Sequence, residues 1–164
     1  MARETILKYN EKGIWIDQDF VQVLSYFICK AFEIKGLDTF PPNLKGIYDD
    51  CYYNRNGESA GMVNILFDDS ITGLAEKDAL FEIFQDARSL VSAYGEAISV
   101  NILNQFEDLK TYPEFKSLWT IPIKTQSLIT TLNIIEQMID GTLQPSLTSI
   151  YYSGFNNPDG VPEV

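Results

Sequence analysis

The chain has 164 residues, enough for one domain with a sizeable core, and its 45% apolar and 21% charged content is that of a globular protein. Histidine is absent, which removes His-based general base catalysis, the Ser-His and Cys-His nucleophile pairs and every His-containing zinc site. The net charge of −11 argues against nucleic acid and anionic membrane as partners, because both recruit Lys and Arg.

Ile6–Lys8 and Ile14–Ile16 flank Asn10–Gly13 and are expected to pair as a short hairpin. Phe20, Leu24, Phe27, Ala31 and Ile34 then recur at helical spacing, predicting a helix over Asp17–Lys35 with Asp17 as N-cap and Gly36 as stop. Pro41–Pro42 breaks the chain. Leu44, Ile47, Tyr48, Cys51 and Tyr52 follow at spacings of three and four, which predicts a second helix with Asp49, Asp50 and Tyr53 outward and Asn54–Gly57 as its closing turn. The same segment also reads as a strand ending in an Asn-Gly hairpin. Met62–Phe67 is a compact apolar run suited to a buried strand.

The longest amphipathic helix is expected over 73–94, capped by Ser70 or Thr72, with Leu80, Ile83, Phe84, Ala87, Leu90, Val91 and Tyr94 on its core face. Ile98, Val100 and Ile102 alternate with polar residues, the pattern of a half-buried strand. A short helix from Pro113 to Trp119, an edge segment at Ile121–Lys124, a last helix at Gln126–Asp140 and a final strand at Leu147–Tyr152 complete the series. Helices and strands do not alternate cleanly. The expected class is α+β: one domain over 1–155, with three to five helices on a small, mainly antiparallel sheet and a flexible tail at 156–164. The N-terminus lacks the layout of a secretion signal and no apolar run approaches the ~20 residues of a membrane span, so the expected address is the cytoplasm. Cys29 and Cys51 show no CxxC pattern and read as two buried thiols.

The charge is unevenly spread. Residues 46–108 hold twelve acids against Arg55, Lys77 and Arg88, a balance of −9. Within that block Asp78, Glu82 and Asp86 repeat at i, i+4, where like charges stack on one face and cost roughly 0.2–0.5 kcal/mol per pair. Neither Glu82 nor Asp86 has a Lys or Arg four residues later, and both lie too far into the helix to benefit from its dipole. A concentration of acids that the helix itself does not need points to a basic partner, whose approach such a field would accelerate. A solvated face that merely keeps the domain soluble is the plainer reading of the same charges.

Three chemical motifs were weighed on their residues. Asp49, Asp50, Asp68 and Asp69 offer oxygen ligands for Mg²⁺ or Mn²⁺, giving a divalent-metal enzyme as the alternative, although Asp and Ser after a strand are also ordinary turn and cap residues. Gly57–Gly61 matches G-x-S-x-G, but it follows a turn and precedes a strand, the reverse of a nucleophile elbow, and there is no His to take a proton. No phosphate-cradling glycine motif is present. Among the aromatic residues, Tyr53 is the best interface anchor, turned outward beside Asp49 and Asp50.

A small, acidic, His-free α+β domain without a catalytic signature resembles, in overall profile, the immunity proteins of bacterial polymorphic toxin and contact-dependent inhibition systems. The resemblance covers size, charge and the absence of chemistry, and no shared motif. It implies no enzyme activity and no cofactor, but sequestration of a basic, nuclease-type toxin domain. From the charge pattern, the expected partner-binding residues are Asp49, Asp50, Tyr53, Asp68, Asp69, Asp78, Glu82 and Asp86. A structural or self-associating domain is the third reading, and the sequence leaves the oligomeric state open.

Overall fold

The computed structural model describes residues 4–56, 63–106 and 119–150. The chain opens with β1 (Glu4–Tyr9) and β2 (Lys12–Asp17), joined by a two-residue turn at Asn10–Glu11 in which Asn10 takes φ 52°. The two strands are antiparallel with Ile6 opposite Trp15 and Leu7 opposite Ile14, so the expected hairpin forms and is longer than the apolar residues alone suggest. Leu7, Ile14 and Ile16 are buried on one face. The residues between them in each strand point the other way, following the two-residue period of a strand.

Helix α1 (Gln18–Lys35) starts directly from β2. Asp17 caps it, its carboxylate accepting from the Phe20 N–H at 3.1 Å. Gly36, at φ 97°, returns its N–H to the Phe32 carbonyl and ends it. Ten residues of α1 are buried, so this helix is the central element of the core. It packs on α2 (Lys45–Asn56), which is entered through a 3₁₀ turn at Pro42–Leu44, and on α4 (Leu74–Ser92). Helix α4 packs in turn on α6 (Thr125–Asp140). Between α2 and α4 lies a single turn, α3 (Phe67–Ser70). Two short elements, β3 (Ala97–Ile98) and β4 (Ile123–Lys124), pair antiparallel, with α5 (Val100–Phe106) after β3. The last strand, β5 (Leu147–Ser149), adds in parallel to the other side of β2 and gives the sheet order β1-β2-β5. Helices thus cover one face of a small sheet, the expected α+β class. No helix among the described residues is long and apolar enough to cross a membrane.

Several local expectations are corrected. Residues 47–53 are helical, and Tyr52, expected inward, is exposed. The helix continues through Asn54, Arg55 and Asn56, with Asn54 buried, where a turn was expected. The run up to Phe67 is not a strand. Val63, Ile65 and Phe67 are buried in strand-like alternation, but only Leu66 pairs, through one parallel bridge to Lys8. Its backbone groups find side chains instead: Asn54 Nδ2 donates to the Asn64 carbonyl (2.8 Å), Asn64 Oδ1 accepts from Ile65 N–H (2.7 Å), and Asp50 accepts from Leu66 N–H (2.8 Å).

The residue at the N-cap of α4 is Gly73; Thr72 instead donates its hydroxyl to Glu76 at 3.2 Å, and Ser70 is buried at the end of α3. Tyr94 lies just past the end of α4 and is exposed. The alternation at 98–102 is a helix from Val100 on. Ser99 is the signal that decides it, since its side chain accepts from Ile102 N–H at 3.4 Å and its carbonyl from Leu103 N–H at 3.0 Å. The Gly57–Gly61 loop, Met62, the helix expected from Pro113, Tyr151, Tyr152 and the tail at 156–164 lie outside the described residues.

Candidate functional site

Helix α3 is held hard against the start of α2. A Cβ on Gly46 would stand 2.5 Å from Ser70 Oγ, so a side chain at this position would force the Ser70 hydroxyl to move. This approach brings Asp68 and Asp69 of α3 towards Asp50 of α2. Asp50 is half-buried; burial pushes its carboxyl above the usual range, the Leu66 N–H lowers it, and the charges of Asp49 and Asp69 raise it further. Asp49 has a cation, Lys45, one turn earlier on α2 at 2.6 Å. Asp68 accepts from the Asn10 N–H at 2.8 Å and so ties α3 to the tip of the hairpin. Asp69 is exposed, with no ion pair among the described residues. Tyr53 is exposed and packs edge-on against Tyr52.

The acids expected on α4 divide. Lys35, the last residue of α1, reaches across to Glu82 at 2.8 Å and stands 3.9 Å from Asp86. The cation that the helix lacks in its own sequence is therefore supplied by its neighbour, and Glu82 in turn raises the pKa of Lys35 through their hydrogen bond. Asp78, one turn earlier, is exposed and makes no ion pair among the described residues. Asp50, Asp68 and Asp69 are brought together; Glu82 and Asp86 belong to a different seam of the molecule.

Sequence reasoning missed what lies beside Asp68 and Asp69. An open pocket of about 350 Å³ lies where β1 meets the 64–69 segment, with Ile6, Lys8 and Leu66 among its walls and the two acids at its rim. Leu66 is 51% exposed. The signal was available: in the alternation Val63, Ile65, Phe67, the residue left on the outer face is Leu66, an apolar side chain where a polar one would be ordinary.

A second polar group lies where α1 meets α2, with Arg55 mostly buried and Glu33 open to solvent. Glu33 accepts from Arg55 Nη2 (3.1 Å), Tyr48 OH (3.2 Å) and Cys29 Sγ (3.6 Å). Burial works to raise the Glu33 pKa, but Arg55, by hydrogen bond and by charge, together with the other two donors, holds it below the ordinary range. Burial pushes the Cys29 thiol up to about 12 and lifts Cys51 well above its ordinary value, so both thiols stay protonated and unreactive. Arg88 joins α4 to α6 through Glu136 at 2.6 Å. Among the described residues no three His, Cys, Asp or Glu side chains converge as a metal-ion site, and Asp49, Asp50, Asp68 and Asp69 do not form one.

What these features define is an acidic α+β domain with an open, partly apolar pocket at the edge of its sheet. No family model, curated protein or solved structure matches the chain.

Proposed function

We propose that this protein is an acidic binding protein that sequesters and neutralises a basic protein partner, and that it acts as an immunity protein against a cognate, nuclease-type toxin domain. One observation carries the reading. Burial, then the charges of Asp49 and Asp69, oppose the ionisation of Asp50, and no cation of the chain bonds Asp50 or Asp69 among the described residues. Beside them Leu66 is exposed, its N–H held by the same Asp50. A folded domain gains nothing from mutual repulsion next to exposed apolar surface, whereas a basic partner relieves the first and covers the second.

The test is co-expression with a basic toxin domain encoded beside this chain, followed by association kinetics at rising salt. Protection of the host together with an association rate that falls steeply with salt supports the reading. Absence of protection, or a rate indifferent to salt, overturns it.

A further inference from the structure

Resting on that reading, we propose that the pocket between β1 and the 64–69 segment is the primary docking site, and that it takes a large apolar side chain of the partner flanked by lysine or arginine. The apolar part of the argument begins on the sheet. Its inner face is filled by Leu7, Ile14 and Ile16 against the helices; its outer face carries Ile6, Trp15 and Leu147. Gly13 lies between them, paired with Leu147 in the register. A Cβ there would meet Leu147 Cδ1 at 3.1 Å and Ile6 Cδ1 at 3.2 Å, so these two side chains close over the glycine and make one continuous surface. Ile6 continues that surface into the pocket, where Leu66 forms the opposite wall. Trp15 is 39% exposed and Leu147 54%, and with Leu66 they give the sheet side of the molecule an apolar patch that no described element covers.

The charge at the rim chooses the occupant. Asp68 and Asp69 stand at one end, with Asp50 behind them holding Leu66. Lys8 is the only cation among the lining residues, and it makes no ion pair with either acid. A second copy of this chain would bring Asp68 and Asp69 towards their own images across a two-fold axis, in a molecule already at −11. An acidic or neutral partner would leave the rim carboxylates desolvated and unpaired, which is costly. A basic segment with an apolar anchor satisfies both halves. The anchor supplies buried area and the cations supply register, the division found where one central apolar contact is ringed by polar ones.

Two synthetic peptides test this on the whole chain by amide chemical-shift mapping at low salt. Both alternate lysine with a second residue at equal length and charge; that residue is leucine in one and serine in the other. The leucine peptide is expected to shift the amides of Ile6, Lys8 and 64–69. Leu66→Ser, at an exposed position that leaves the fold intact, should weaken it about fivefold, the share of burial a half-exposed leucine supplies. The serine peptide should bind more weakly and lose nothing further in L66S. Equal binding of the two peptides, or shifts confined to α4, overturns the pocket but leaves the basic-partner reading standing. Binding of neither peptide overturns both. A concentration-dependent dimer in sedimentation that L66S dissolves would assign the patch to a second copy and overturn the proposal.

Discussion

On α4, Glu82 and Asp86 face Lys35 across the seam with α1; on α2 and α3, Asp50 and Asp69 lie within each other's field with no cation bonded to either among the described residues. Both pairs look alike in sequence, as acids without a local base. The first pair was matched by the tertiary fold, through a lysine more than forty residues away, while the second was left with its repulsion. An acid cluster therefore counts as a candidate interface only after the fold has had the chance to neutralise it. By that standard the weight moves from the i, i+4 ladder to the rim of the pocket. The Glu33–Arg55 group is the third case, where charge is matched by a cation that is itself mostly buried while the carboxylate stays exposed.

The sharpest contrast is between matched and unmatched charge, and the largest effect should come from unmatching the Glu33–Arg55 pair. Arg55 is mostly buried, and its Nε already lacks a hydrogen-bond partner among the described residues. Arg55→Met removes the cation from a carboxylate that also takes bonds from Tyr48 and Cys29. The loss should be about 2 kcal/mol, below the full cost of stranding a buried charge because Glu33 keeps some solvent. Urea denaturation measures it. Adding Glu33→Gln to the same chain should recover part of the loss, and a strictly additive double variant would show that the pair does not interact.

Next is the unmatched pair. Asp68→Asn with Asp69→Asn should slow association with a basic partner about tenfold at low salt, with the effect shrinking as salt rises. Glu82→Gln with Asp86→Gln, equal in formal charge removed, should slow it less, because Lys35 already offsets that field. Equal slowing by the two pairs would return the interface to α4. Asp69→Asn alone should also lower the pKa of Asp50, since it removes one of the charges raising it; a carboxyl NMR titration of Asp50 reads this directly.

The fold was largely legible because its signals are local. Asp17 before an apolar period and Gly36 after it mark α1, and Pro41–Pro42 and Gly141 mark other ends, since capping and φ > 0 act within a turn. The misses have one cause. Met62–Phe67 is a compact apolar run and Ile98–Ile102 alternates in apolarity, and such patterns tell which side chains can be buried, not what pairs with the backbone. In the first, Asn54, Asn64 and Asp50 took the hydrogen bonds; in the second, Ser99 started a helix. The acids of the candidate site were legible as charge, but their sorting by Lys35 was not, because no period in the sequence links residue 35 to residues 82 and 86. Leu66 was hidden inside an apolar run that looked entirely inward.

Asp17 offers a milder test of the matched-charge idea, since a backbone N–H rather than a cation receives it. Burial first, then the charge of Asp19, push its carboxyl up to about 6 against the pull of the capping hydrogen bonds. A raised acid binds its proton more tightly folded than unfolded, so its contribution to stability is full below about pH 4 and lost as the pH rises through 6. Asp17→Asn keeps a capping oxygen and removes the charge. It should therefore gain about 1 kcal/mol at neutral pH, with the advantage vanishing near pH 4, as urea midpoints across that range will read. A variant less stable than the parent at every pH would mean that the charged cap outweighs its own desolvation.

The smallest effect should come from the pair that first drew attention to the acids. Lys35→Met breaks the bridges to Glu82 and Asp86, yet Glu82 and Asp86 are well exposed and water replaces what is lost. The urea midpoint at moderate salt should barely move. Association with a basic partner should instead speed up, because the variant exposes two acids that the parent holds neutralised. That sign is the discriminating result: Lys35 then limits how far the acidic field extends along α4. Were the midpoint to fall markedly with association unchanged, the Lys35 bridge would be a structural clamp, and α4 would drop out of the interface altogether.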